Sequence, residues 1–100
     1  MNTKQIVKSF LKEKSFLRDD DERLSTHIWF KELELLGIDP YNTPITEFLR
    51  KYADKKLTLA PTIVRVRRKL QVDNIFLRGK KYYKRQGEYQ NKWRKNLGYE

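Results

Sequence analysis

Apolar side chains return every three or four residues along most of this chain, and that spacing belongs to helices. Ile6, Val7, Phe10 and Leu11 make one stripe; Leu24, Ile28, Trp29, Leu33, Leu35 and Leu36 make a wider one. Ile45, Phe48, Leu49 and Tyr52 sit at i, i+3, i+4 and i+7, one face of a third helix. Helical periodicity is stronger than strand alternation nearly everywhere. The pattern predicts an all-α fold of four to five short helices.

Local chemistry sets the expected bounds. Asn2 followed by Gln5 has the form of a capping box and opens a helix over 3–14. Ser15 to Arg18 is a connection whose Phe16 and Leu17 should turn inward. Asp19-Asp20-Asp21-Glu22 places negative charge where a second helix, 19–36, exposes its first N–H groups. Gly37 suits the left-handed position after that helix, with Ile38 making the accompanying contact. Asp39-Pro40-Tyr41-Asn42 is turn chemistry, and Thr43-Pro44 reads as N-cap and first residue of the third helix. Asp54-Lys55-Lys56 ends it. Pro61 opens a fourth helix over 61–72, and a fifth, rich in Lys, Arg and Tyr, is expected over about 80–95.

One hundred residues suit a single domain, 1–100, burying roughly 65% of its unfolded surface. Thirteen aromatics argue against disorder. The absence of cysteine excludes disulfide scaffolds, thiolate zinc sites and cysteine nucleophiles. His27 stands alone, so no metal site, cofactor or catalytic residue is expected and an enzyme is disfavoured. The acids at 19–22 suit Mg²⁺ in charge, but adjacent carboxylates at a helix start point apart, and capping explains them better. No apolar run approaches the ~20 residues needed to span a bilayer, and the N-terminus lacks a signal-peptide pattern. The expected setting is the cytoplasm, without a membrane partner. Gly37, Gly79, Gly87 and Gly98 stand apart, so no phosphate-cradling loop is present.

The net charge of +10 is unevenly placed. Residues 1–60 hold 11 basic and 10 acidic side chains, a net of +1; residues 61–100 hold 12 and 3, a net of +9. A neutral packing half and a basic contact half are the footprint of a polyanion partner; a solubilising basic tail is the plainer alternative.

The fourth helix concentrates that signal. At 100° per residue, Ile63, Val66 and Leu70 fall within a sector of about 60°, while Arg65, Arg68 and Lys69 centre about 190° away and Arg67 flanks the apolar stripe. Such a helix suits a DNA groove or phosphate backbone, or is an ordinary amphipathic surface helix with solvated charges. The order of third helix, connector and basic helix is that of a loose helix-turn-helix, with a connector of about seven residues instead of three or four. Further on, Arg78, Lys80, Lys81, Lys84 and Arg85 are interleaved with tyrosines, a pattern able to grip phosphates. Tyr82, Gln86, Tyr89 and Trp93 share a face, which either stacks on bases or packs the fifth helix onto the domain.

Arg18-Asp19-Asp20-Asp21 with the Trp29 helix, Pro61-Thr62-Ile63 through Arg67-Arg68-Lys69-Leu70-Gln71, and Leu77-Arg78-Gly79-Lys80-Lys81-Tyr82 with Arg85-Gln86 form a set. Over about 18–86 this set resembles a group of small proteins encoded by phages and prophages of Gram-positive bacteria. The resemblance implies a phage gene product acting in a bacterial cytoplasm, and it implies no catalytic residues. Asn74-Ile75-Phe76 departs from the polar, often proline-containing link expected before Leu77. The expected function is a small, regulatory, duplex-DNA-binding protein. Its expected contacts are Arg65, Arg67, Arg68, Lys69, Arg78, Lys80, Lys81, Lys84 and Arg85. The alternatives are an adaptor for an acidic protein partner and a binder of single-stranded nucleic acid or RNA.

Overall fold

The computed structural model describes residues 2–84. Four helices are complete within them: α1 (Thr3–Glu13), α2 (Asp21–Leu35), α3 (Ile45–Ala53) and α4 (Ala60–Asp73). A further helical run, α5, is described over 80–84; the rest of the expected fifth helix, with Arg85, Tyr89 and Trp93, lies outside the described residues. Short 3₁₀ turns join these helices at Ser15–Asp19, Pro40–Asn42 and Ile75–Leu77. The fold is all-α, with no strand among the described residues.

The sequence stops and starts the helices by identifiable means. Asn2 and Gln5 form a reciprocal capping box at the head of α1, with bonds of 2.9 and 3.0 Å. At the end of α2, Gly37 takes φ +77°. There the Gly37 N–H reaches Glu34 O and the Ile38 N–H reaches Leu33 O, the Schellman pair that satisfies the last carbonyls. The end of α3 repeats the motif with a lysine: Lys55 takes φ +61°, and Lys56 N–H bonds Lys51 O at 2.9 Å. Thr43 does not cap α3 as expected. Its hydroxyl donates to Asp39 O at 2.6 Å, and Pro44 becomes the N-cap instead.

The core forms where the stripes of α1, α2 and α4 meet. Ile6, Val7, Leu11, Leu17, Leu24, Ile28, Ile63, Leu70 and Leu77 are buried together, with Phe10, Trp29 and Val66 packed against them. Burying one such aliphatic side chain stabilises the fold by about 1.5–3 kcal/mol, so three converging stripes account for much of the driving force. Leu17 points inward as expected, but Phe16 does not. It is 54% exposed and meets the edge of His27, whose other neighbour is Phe10. Successive side chains on one tight 3₁₀ turn cannot share a direction, and Leu17 takes the core place.

α3 packs through half of its apolar face. Phe48 and Tyr52 lie edge-on to Trp29 at 5.4 and 5.5 Å, whereas Ile45 and Leu49 remain exposed.

Candidate nucleic-acid interface

The start of α4 is fixed by Thr58 in the connector before it. Its N–H and hydroxyl both donate to the Glu32 carboxylate, at 2.9 and 2.7 Å. Its carbonyl accepts from the Trp29 indole at 2.7 Å, and its hydroxyl lies 3.0 Å from that of Thr3. The Ala60 N–H donates to the Tyr52 hydroxyl, linking α4 to α3. α4 then packs mainly on α1 and α2.

A buried polar network fixes its other end. Arg67 is 2% exposed, and its guanidinium grips both oxygens of Asp21 at 2.9 and 3.0 Å. Arg67 also donates to Gln71 Oε1. The fully buried Gln71 amide in turn donates to the carbonyls of Arg18 and Leu77. Arg78 reaches back to the carbonyls of Gln71 and Val72 at 2.6 and 3.0 Å and lies over the Tyr82 ring. No buried side-chain nitrogen or oxygen among the described residues lacks a partner. An ion pair so enclosed is costly to break from one side, because the remaining charge is left buried.

The acidic run divides among three tasks. Asp20 caps α2 through the Arg23 N–H at 3.0 Å, and that backbone bond, with help from the Arg23 guanidinium, holds its carboxyl below the usual range. Asp21 holds Arg67. Asp19 reaches across the chain and accepts from the N–H groups of Lys80 and Lys81 at 3.0 and 2.9 Å, capping α5. A Cβ at Gly79 would collide with the Asp19 carboxylate, so any larger residue there would have to push that cap aside.

This geometry revises the expected contact set. Arg67 does not face outward: it lies about 40° from Ile63 around the helix, inside the buried arc, and its donors are engaged by Asp21 and Gln71. Arg78 is half-buried, with its guanidinium tied to the carbonyls at the end of α4. Arg65, Arg68 and Lys69 are exposed on the outward arc of α4, and Lys80, Lys81 and Lys84 are exposed on α5. Arg85 lies outside the described residues. Among the described residues Arg65 and Arg68 have no acidic partner, while Lys69 meets Asp73 at 3.5 Å on the open surface.

One cation was missed by the sequence reading. Lys4 of α1 joins Arg65 and Lys69 around a hollow of about 340 Å³ between α1 and α4, floored by Val66 and Leu70. The signal was present: Lys4 stands seven residues before Leu11, two helical turns along the same face that packs inward. The described residues contain no group of three or more His, Cys, Asp or Glu placed to hold a metal ion. No described helix is long and apolar enough to cross a membrane. No protein-family model, curated protein or solved structure matches this chain.

Proposed function

We propose that this chain is a small duplex-DNA-binding protein of phage type that lays the outward face of α4 against the double helix. The observation that carries the reading is the sorting of cations on α4. The one arginine within the buried arc is neutralised by Asp21, while Arg65, Arg68 and Lys69 stand on the outer arc. A helix held at both ends, by Thr58 and by the Arg67–Gln71 network, presents those cations at fixed spacing, as positioning on a phosphate backbone requires. Lys80, Lys81 and Lys84 add flanking phosphate contacts, because Asp19 and Arg78 anchor the start of α5 beside the end of α4.

Titration of labelled duplexes across salt concentrations tests the reading. Non-specific binding with Kd of roughly 10⁻⁴–10⁻⁶ M near physiological salt, weakening steeply as salt rises, is expected. No affinity for any duplex at low salt would overturn it. The exposed Ile45 and Leu49 on α3 favour a second reading, an adaptor for a protein partner. A partner that stays bound after nuclease treatment, and is lost on Leu49→Lys, would support that reading over the first.

A further inference from the structure

The crease between α1 and α4 has a composition that the outward face of α4 alone does not explain. Three basic residues from two helices line one hollow: Lys4 from the first turn of α1, with Arg65 and Lys69 one turn apart on α4. Their aliphatic stems line its walls, and all three residues are exposed, so their charged ends are free to meet an anion at its mouth. The floor beneath them is apolar, formed by Val66 and Leu70. The nearby acid is Asp73, whose contact with Lys69 is long and solvent-exposed, a class of pair that competes poorly with a bound phosphate.

We infer that this crease seats one strand of the nucleic-acid backbone, with Lys4, Arg65 and Lys69 around a phosphodiester and the adjoining sugar against Val66 and Leu70. The inference rests on the duplex reading of α4 and extends its footprint onto α1. A nucleic-acid strand joins charged phosphates through less polar sugars, and the crease offers basic side chains beside an apolar floor. Arg65 supplies a planar fork of donors suited to two phosphate oxygens, and the lysines supply point charges. The seat is also preformed. α1 and α4 are packed through Ile6, Val7, Ile63 and Leu70, and the Thr3–Thr58 contact ties the first turn of α1 to the connector before α4. Lys4 therefore needs to order only its own side chain.

The test compares Lys4→Gln, Arg68→Ala and Lys14→Gln by fluorescence anisotropy with unrelated duplexes between 50 and 200 mM salt. Lys14 lies at the far end of α1, about 15 Å away at 1.5 Å per residue. A phosphate contact by Lys4 makes the slope of log affinity against log salt shallower by about one and lowers affinity for all duplexes by a common factor. Lys14→Gln leaves both unchanged, and all three variants keep the parent melting temperature. If Lys4→Gln retains the parent slope while Arg68→Ala reduces binding, the crease seat is wrong and the duplex reading stands. If the parent binds no duplex, both fall. Lys4-dependent capture of polyglutamate by a chain that ignores duplexes would identify an acidic protein segment as the occupant and overturn the phosphodiester assignment.

Discussion

Asp21→Ala should destabilise the domain by about 2–4 kcal/mol, although Asp21 lies at the surface end of a helix. The reasoning starts at Arg67, which is 2% exposed and depends on Asp21 for its counter-charge. Breaking a buried pair from one side costs roughly 3–5 kcal/mol, because the remaining ion has lost both water and partner. The Asp21 side chain is 32% exposed, so solvent already screens part of the interaction, and the figure is discounted accordingly. Against a total stability of about 5–15 kcal/mol the loss is large. At roughly 4–8 °C per kcal/mol it corresponds to a fall in Tm of about 10–30 °C. Glu22→Ala is the control: it also removes a first-turn acid from α2, and it should cost only about 0.3–1 kcal/mol. Arg67→Met replaces the cation with an apolar side chain, and the double variant Asp21→Ala/Arg67→Met should cost less than the sum of the two single changes by about 1–3 kcal/mol. Urea unfolding at pH 7 measures all four variants. An Asp21→Ala loss within about 0.5 kcal/mol of zero, or additive costs for the pair, would refute the buried-charge reasoning.

Three further outcomes follow from the same contacts. Gly79→Ala should push Asp19 away from the Lys80 and Lys81 N–H groups and cost about 0.5–2 kcal/mol, the usual range for a lost cap; Asp19→Ala should cost a similar amount, and the two together little more, as urea unfolding would show. Lys55→Gly should raise stability by about 1 kcal/mol in thermal melts, because it relieves a left-handed backbone at a Schellman position without removing a buried contact. Leu70→Ala should cost about 2–5 kcal/mol, whereas Arg68→Ala should leave stability within about 0.5 kcal/mol and weaken duplex binding; an unfolded Arg68→Ala variant with intact DNA affinity would mean that the contact face is misassigned.

Much of the helical scaffold was legible in the sequence because its determinants are local. Asn2 and Gln5 cap α1 across three residues, Gly37 closes α2 within its own turn, and the stripes of α1 and α4 identify their buried faces by period alone. The α2 stripe does so only in part: Leu24, Ile28 and Leu33 are buried, but Leu35 and Leu36, at the end of the helix beyond the reach of α1 and α4, are about half exposed. α3 shows the limit of that method. Its period was correct, but periodicity gives the direction of an apolar face and not the amount of surface available to cover it. Trp29 receives Phe48 and Tyr52 while Ile45 and Leu49 stay in solvent.

The candidate site was legible where it depends on one helix and obscure where it joins distant segments. Arg65, Arg68 and Lys69 follow from angles on α4, but the Asp21–Arg67 pair spans 46 residues and the Asp19–Lys81 bond spans 62. A run of three aspartates gives no sign that its members face three partners. Yet part of the network left a mark: Arg67 and Gln71 stand four and eight residues after Ile63, on the face that should be apolar. A cation and an amide in that position are costly to bury unless each is bonded, so their placement already required a carboxylate and free carbonyls from elsewhere in the fold. The stretches 18–21 and 67–81 are the ones this network joins. They fix the position of α4 and the base of α5, and the cations outside the network, Arg65, Arg68, Lys69, Lys80, Lys81 and Lys84, lie on the exposed surface.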